Sequence, residues 1–149
     1  MVLLRIVPLA YLVLCVGIAV LLHTLVPGVR VVAAPWNLLG LLPIALGVVM
    51  VVAAVVSLKR HGTTVKPLRK PKALVTTGVF RLSRNPIYLG FVLALLGTAA
   101  LLGSLTPWLI VPGFAVFTDV LFVRYEERRL AEVFGGSWAE YKSRVRRWL

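Results

Sequence analysis

Two short stretches of the sequence carry side chains that could do chemistry. The first is the run Arg84-Asn85-Pro86-Ile87-Tyr88-Leu89-Gly90, which holds a cation, an amide and a phenol close together. Pro86 suits the first turn of a helix, where its missing N–H has no partner to lose. Arg84 would then stand just before that helix, ready to bind an anion. The alternative is an ordinary helix start with a snorkelling arginine and an interfacial tyrosine.

The second stretch is acidic, because all five carboxylates lie in the last quarter of the chain, at Asp119, Glu126, Glu127, Glu132 and Glu140. On a regular helix Asp119 and Glu126 differ by about 20° and share one face, with Glu127 beside it. We expect Glu126 and Glu127 to bind a ligand at the end of a helix. An acid inside an apolar span is costly, so Asp119 is either functional or locked to an arginine such as Arg124 or Arg84.

The elements that must position these residues are membrane helices. Of the 149 residues, 60% are hydrophobic and 15% are charged, and the mean hydropathy is +0.94. A soluble domain of this size could not bury so much apolar surface. Because about 20 apolar residues cross the hydrocarbon core, the apolar blocks predict spans over about 6–26, 38–58, 86–102 and 105–123.

The predicted fold is therefore all-α: a single polytopic membrane bundle, 1–149, of about four transmembrane helices plus a C-terminal interfacial helix. The third apolar block is short, so we expect it to begin near Asn85 or to lie among its neighbours without facing lipid throughout. Three spans are the main alternative to four.

The distribution of cations predicts the orientation of the bundle. Sixteen of the 17 Lys and Arg residues, all except Arg30, lie on one side if both termini, a loop over 59–85 and a tail over 124–149 are cytoplasmic. We expect the protein to lie in the cell inner membrane. The net charge of +12 is then a topology signal with attraction to anionic headgroups, and a nucleic-acid partner is not expected.

The cytoplasmic segments offer two ways to build a site. The loop is long and basic, which is typical of a functional or a disordered segment, and Ala73-Leu74-Val75 gives it an apolar anchor. The tail breaks at Gly135-Gly136 and then repeats apolar residues at helical spacing, at Trp138, Tyr141, Val145 and Trp148. That pattern predicts an interfacial helix that anchors the protein, closes a pocket, or does both. Cys15, His23 and His61 have no ligand spacing, so no metal site is expected.

Together these features resemble the superfamily of isoprenylcysteine carboxyl methyltransferases and phospholipid methyltransferases, over roughly residues 66–149. Its members carry an Arg-His-Pro-x-Tyr-x-Gly motif entering a membrane helix, a Glu-Glu pair at the end of the next helix, and a Phe-Gly tail with spaced aromatic and basic residues. The matches here are Arg84 to Gly90, Glu126-Glu127, and Phe134-Gly135 followed by Trp138, Tyr141 and Arg144. Their joint occurrence in this order is far more specific than any one of them.

The resemblance implies a methyltransferase that binds S-adenosyl-L-methionine at the cytoplasmic surface. It implies a cofactor site made by Val75, Gly78, Phe80, Arg84, Pro86, Tyr88, Gly90, Glu126, Glu127 and Tyr141, with Arg84, Asn85 and Glu127 taking part in catalysis. The glutamates would bind the ribose or the ammonium of the cofactor, and Arg84 its carboxylate. Tyr88 would meet the sulfonium or the adenine.

Asn85 stands where many relatives have histidine, which replaces a titratable group with a hydrogen-bonding amide. A mechanism that needs a base at this position is therefore not expected here, and the subfamily stays open. Methyl transfer mainly requires alignment and exclusion of water. The implied acceptor is an apolar small molecule, lipid or lipidated molecule that ends in a carboxylate, an amine or a thiol. The alternative function is a non-catalytic membrane scaffold or small-solute carrier.

Overall fold

The computed structural model describes residues 8–64 and 71–149, so the predicted start of the first span and residues 65–70 of the predicted loop lie outside the described residues. The described chain forms five helices: α1 (Pro8–Leu25), α2 (Leu41–Arg60), α3 (Pro86–Leu102), α4 (Thr106–Thr118) and α5 (Arg124–Arg144). Short 3-10 turns cover Trp36–Gly40 and Gly78–Arg81, and a π-helical turn, Asp119–Val123, joins α4 to α5. The all-α prediction is confirmed.

Three helical segments are long and apolar enough to cross a membrane: Pro8–Leu25, Trp36–Arg60 and Thr106–Arg144. Their outward faces carry large apolar side chains, such as Leu14, Val49 and Val116, that are more than half exposed. Water would penalise such a surface, whereas lipid tails solvate it. The chain is an integral membrane protein, and the count of four spans stays a prediction.

Helix α3 has 17 residues and is the most enclosed helix, with eight of them buried. It packs antiparallel to α2 through glycines that let the two backbones touch, Gly90 against Gly47 and Gly97 against Gly40. A methyl group on Gly90 would lie only 2.7 Å from the carbonyl oxygen of Gly47. Small residues at such an interface maximise backbone contact in lipid. As expected for a short span, α3 lies among its neighbours.

Two apolar clusters hold the rest of the chain together. The larger one packs aromatic rings of α1, α3, α4 and the π turn around the stacked pair Tyr88 and Phe122, whose centroids are 6.0 Å apart. The smaller one packs against Ala54 in the C-terminal part of α2 and joins the segment before α3 to the tail, through Val75, Phe80, Trp138 and Tyr141. This second cluster carries the tail back under the bundle.

Different segments of the chain lie at the two ends of the bundle. At one end, the turn between α3 and α4 binds the segment around Arg30 through main-chain bonds from Val31 and Val32 to the carbonyl of Gly103. At the other end lie the segment before α3, the last turn of α2 and the tail. The break predicted in the tail is present, since Gly135 has a φ of +48° and a ψ of −115° inside α5. Glycine tolerates this conformation because it lacks a Cβ.

Candidate functional site

The segment that leads into α3 is held by short-range contacts before it reaches the polar site. The hydroxyl of Thr63 accepts the N–H groups of Lys72 and Ala73, at 3.0 and 3.4 Å, which fixes the chain as it returns toward the bundle. Gly78 then takes a positive φ of +62° at the start of the 3-10 turn. The turn buries Phe80, and Pro86 occupies the first turn of α3 as predicted.

Arg84 is the centre of the site. Its Nε donates to Glu127 Oε1 at 3.0 Å, and its Nη2 lies 2.9 Å from the same oxygen, so the contact is an ion pair with two N–H groups. Its Nη1 donates to the carbonyls of Lys142 and Val145, at 3.1 and 2.8 Å. The Arg84 side chain is only 7% exposed. Burial of this charge is tolerated because all three guanidinium nitrogens face an acceptor, one of them a carboxylate of opposite charge.

Glu127 receives hydrogen bonds from three other residues. Asn85 Nδ2 donates to its Oε1 at 3.4 Å, in addition to Arg84. Its other oxygen, Oε2, accepts Nε and Nη2 of Arg147 at 3.2 and 2.8 Å. Burial by itself would raise the pKa of Glu127, but hydrogen bonds from Arg147 and Arg84 outweigh it and hold the pKa below its ordinary value. The group is therefore a carboxylate at neutral pH.

Arg147 extends the ion pairs to Asp119, which the sequence left open. Its Nη1 lies 3.4 Å from Asp119 Oδ1, while Asp119 Oδ2 accepts Arg124 Nε at 2.9 Å. The lock to Arg124 that the sequence suggested is therefore present, and the lock to Arg84 is not. Hydrogen bonds to Glu127, together with the two carboxylates, raise the pKa of Arg147 further above its ordinary value despite its partial burial.

The residues before α3 bind the main chain of the tail. Ser83 Oγ and Asn85 Nδ2 donate to the carbonyl of Arg147, at 3.0 and 3.2 Å, and the N–H of Arg84 donates to the carbonyl of Arg146 at 3.0 Å. Ser83 is fully buried. These contacts join positions more than 60 residues apart. They fix the last residues of the chain directly over the site.

Two tail aromatics complete the enclosure. The ring of Trp138 lies 5.7 Å from the guanidinium carbon of Arg84, within reach of a cation–π contact. Tyr141 donates its hydroxyl to the carbonyl of Phe80 at 2.6 Å. Burial raises the pKa of Tyr141 to about 12, with Arg84 lowering it and Glu127 raising it by smaller amounts. The phenol therefore stays protonated and keeps its bond to the turn before α3.

Glu126 does not share the partners of Glu127 and forms a separate, partly buried pair. Tyr88 donates its hydroxyl to Glu126 Oε1 at 2.7 Å, and the Tyr88 ring stacks on Phe122. Glu126 lies beyond the apolar stretch that ends at Val123. Burial raises the pKa of Glu126 to about 7, although the bond from Tyr88 opposes the shift. Its charge therefore changes near neutral pH, unlike that of Glu127.

Two grooves meet at Arg147. The polar groove has a volume of about 370 Å³ and is lined by Arg124, Glu127, Arg128, Ala131, Trp138, Lys142 and Arg147. The apolar groove has a volume of about 320 Å³ and is lined by Ala115, Val116, Asp119, Val120, Arg124, Arg147 and Trp148. Its valines, Val116 on α4 and Val120 in the π turn, are exposed. One groove thus presents charges, and the other presents an apolar wall that ends in two arginines.

Comparison with known proteins assigns this arrangement to a family. The family model described as phospholipid methyltransferase matches residues 36–137, from the turn before α2 into the tail. The chain belongs to the phospholipid methyltransferase family. The match includes Arg84, Asn85 and both glutamates, and it ends before the residues of the tail that reach Arg84.

Three curated relatives of this family member have related names. It is 33% identical over 111 residues to protein-S-isoprenylcysteine O-methyltransferase B of Arabidopsis thaliana, covering 71% of this chain and 55% of that protein. It is 41% identical over 78 residues to protein-S-isoprenylcysteine O-methyltransferase of Saccharomyces cerevisiae, covering 48% and 30%. For the Schizosaccharomyces pombe protein of that name the values are 34% over 79 residues, 51% and 32%. The chain thus spans about half or less of these relatives. No solved structure matches it significantly.

The structure brings together most of the residues predicted for the site. Arg84, Asn85 and Glu127, the three predicted for catalysis, form one hydrogen-bonded cluster. Val75, Phe80 and Tyr141 pack side by side beneath it, while Tyr88 and Glu126 form their own pair. Gly78 and Pro86 shape the backbone around the cluster, and Gly90 faces α2. Their roles toward a cofactor stay predictions.

One geometric expectation from the sequence was wrong. A regular helix would set Asp119 and Glu126 on one face, but Asp119 and Glu127 are the pair that shares Arg147. The π turn explains the difference, because it takes up an additional residue between α4 and α5 and advances the register by about one position. Glu126 is thereby turned toward Tyr88.

Sequence reasoning missed Arg147 and Ser83. Arg144, which matches the family pattern, instead pairs with Glu140 on the exposed surface. The signal that could have pointed to Arg147 is its place at the end of the tail, next to Trp148, where a folded-back tail would deliver a cation to an acidic pair. Ser83 carried no signal except its position immediately before Arg84.

Proposed function

We propose that the chain is a membrane methyltransferase that transfers a methyl group from S-adenosyl-L-methionine to an apolar or lipid-like acceptor. The observation that carries the proposal is the Arg84, Asn85 and Glu127 cluster, which is assembled by family residues and whose Glu127 lines the polar groove. The names of the relatives support methyl transfer as the reaction class.

The side chains in and beside the polar groove match the chemical groups of the cofactor. Glu127 offers a carboxylate to an ammonium or a ribose hydroxyl, and Trp138 offers an indole face to a sulfonium or an adenine. Lys142 and Arg128 offer cations to the carboxylate of the cofactor. A volume of about 370 Å³ lies within the range of small-molecule sites. When bound, the cofactor supplies an electrophilic methyl group on sulfur.

The protein's own part in the reaction is to bind, orient and exclude water. Arg84 fixes the Glu127 carboxylate, and the tail aromatics Trp138 and Tyr141 cover the site. Asn85 donates to Glu127 and to the tail, so it acts as an orienting amide and provides no base. An acceptor that is already a carboxylate or thiolate needs no base for in-line displacement.

The apolar groove supports an acceptor with an apolar body. Ala115, Val116 and Val120 line it on the side that faces lipid, and Arg124 and Arg147 lie at its polar end. A molecule dissolved in the bilayer could thus place its nucleophilic end beside the cofactor groove while its apolar part stays in lipid. The isoprenylated cysteine in the names of the relatives is one acceptor of this kind.

We further propose that the site faces the cytoplasm of the cell, with the protein in the inner membrane. Described cations of α2, the segment before α3 and the tail lie at the end of the bundle that carries Arg84, opposite Arg30. Cysteines introduced at Gly62 and Ser143, in a chain with Cys15 replaced, should resist an impermeant thiol reagent on intact cells and react after lysis. Labelling of either on intact cells would reverse the orientation.

Calorimetric titration of the purified protein with S-adenosylhomocysteine tests the function. An enzyme of this kind should bind it with affinity in the micromolar range. A non-catalytic scaffold or a small-solute carrier of unrelated substrates should give no heat of binding. Failure to bind in several detergents and in lipid nanodiscs, by a monodisperse protein, would refute the proposed function.

A further inference from the structure

We propose that Arg147 is a positioning residue of the cofactor site: an internal counterion of Glu127 that moves to Asp119 when the cofactor binds. The inference rests on the proposed function, because it assumes that Glu127 accepts a group of the cofactor. It assigns a role to two residues, Arg147 and Asp119, that the motif of the family does not include.

Every acceptor position of the Glu127 carboxylate is occupied in the structure. A carboxylate offers about four lone-pair sites. In the structure Oε1 faces two nitrogens of Arg84 and the amide of Asn85, and Oε2 faces two nitrogens of Arg147. A hydroxyl or ammonium of the cofactor can therefore bind Glu127 only if one of these partners withdraws.

Arg147 is the partner of Glu127 that can withdraw. The Arg84 side chain is 7% exposed and also holds two tail carbonyls, and Asn85 is 7% exposed as well. The Arg147 side chain, by contrast, is 35% exposed. Moving it leaves the buried Arg84 paired with Glu127.

Asp119 already lies close enough to Arg147 to serve as its alternative counterion. Arg147 Nη1 lies 3.4 Å from Asp119 Oδ1, a longer contact than the 2.8 Å from Nη2 to Glu127. The other oxygen of Asp119 is held by Arg124, which fixes the carboxylate in place. A rotation of the Arg147 side chain would shorten its contact with Asp119 and break its contact with Glu127. The Arg147 carbonyl would stay bound to Ser83 and Asn85.

This transfer would couple the two grooves. Arg147 lines both of them, so its movement toward Asp119 clears the Glu127 end of the polar groove and places the guanidinium at the polar end of the apolar groove. Cofactor binding would thus bring a cation to the side from which the acceptor arrives. The observed affinity for the cofactor is then the intrinsic affinity multiplied by the fraction of molecules in which Arg147 has released Glu127.

The test compares S-adenosylhomocysteine binding by full-length variants in detergent. Arg147→Gln should bind about tenfold more tightly than the wild type if Arg147 holds Glu127 in about nine molecules of ten. Arg146→Gln is the matched control, because it removes the same charge from the adjacent, exposed side chain and should leave the affinity unchanged. Asp119→Asn should weaken binding in the wild type and have no effect in the Arg147→Gln background.

Each outcome has a distinct meaning. Equal or weaker binding by a monodisperse Arg147→Gln protein would overturn the inference, and a merely structural Arg147 predicts that result. If Arg147→Gln does not fold, Arg147→Lys and Asp119→Asn decide, since the inference requires tighter binding by the first and weaker binding by the second. If neither the wild type nor any variant binds, the proposed function fails and not the role of Arg147 alone.

Discussion

The seven residues from Arg84 to Gly90 serve two different interfaces. At the beginning of the run, Arg84 and Asn85 face the tail and Glu127 through hydrogen bonds and an ion pair. At its end, Gly90 faces α2 in a close contact between two backbones. One continuous motif thus contributes electrostatics at one end and close packing at the other. A variant in the motif therefore does not report on cofactor binding unless folding is measured as well.

The two adjacent glutamates likewise have different partners. Glu127 holds two arginines, so loss of its charge leaves Arg84 buried without a counterion and should weaken folding as well as binding. Glu126 accepts one hydrogen bond from Tyr88. The expectation that both carboxylates bind a ligand stays a prediction, and Glu126 provides the cleaner test of it.

Removing the tail should break the polar interface with the largest effect. A truncation after Phe134 deletes Trp138, Lys142 and every tail carbonyl that binds Arg84, yet it leaves the apolar helices intact. We expect it to insert, to remain monodisperse in detergent, and to bind S-adenosylhomocysteine about a hundredfold more weakly, as for two lost charged contacts. Arg147→Gln removes only the competing side chain and should have the opposite sign.

The truncation has a clear contradicting result. If the shortened protein binds the ligand as tightly as the intact one, the residues after Phe134 only anchor the protein and the pocket lies wholly before them. Size-exclusion chromatography of both proteins in the same detergent controls for loss of folding.

Adding one methyl group should break the packing interface. Gly90→Ala would place a Cβ 2.6 Å from Val51 Cγ2 and 2.7 Å from the Gly47 oxygen, so the two helices must separate. We expect the free energy of unfolding to fall by about 1–3 kcal/mol. Thermal unfolding in detergent measures this. Gly113→Ala is the matched control on α4, because nothing lies within 4 Å of its added Cβ.

The Gly90→Ala and Gly113→Ala variants also test whether Gly90 belongs to the cofactor site or to the packing interface. An unchanged melting temperature for Gly90→Ala, combined with weaker ligand binding, would place Gly90 in the cofactor site as the family resemblance implies, and would remove it from the packing interface.

The smallest expected effect concerns the charge of Glu126. Burial raises its pKa from an ordinary 4.5 to about 7, so the folded protein holds a proton that the unfolded chain has released. Its contribution to stability is complete below pH 4.5 and is lost as the pH rises through about 7. Glu127 has a lowered pKa and acts in the opposite direction, below pH 4.5.

Glu126→Gln should therefore flatten the decline in melting temperature between pH 4.5 and about 7. The exposed Glu132→Gln is the control and should keep the wild-type profile. Identical profiles for the wild type and Glu126→Gln would show that the carboxyl titrates as in water.

Much of this arrangement could be predicted from the sequence because it depends on local or compositional properties. Long apolar blocks predict membrane helices whatever their partners are. Pro86 predicts the start of α3, and Gly135 predicts the break in the tail, since both residues restrict or free the backbone on their own. The meeting of Arg84 with Glu127 was expected only through the family resemblance, because 43 residues separate the two.

Only the tertiary structure decided which side chains meet at the site. The π turn changed the partner of Asp119, and the regular spacing of residues along an ideal helix cannot foresee such a turn. The face of α3 that carries Gly90 depends on where α2 packs. Arg147 contacts Glu127 because packing of Trp138 and Tyr141 holds the tail under the bundle. Hydrogen bonds from Ser83 and Asn85 to the Arg147 carbonyl then fix its position. Composition determined the membrane helices, whereas these contacts depend on long-range packing that no local pattern encodes.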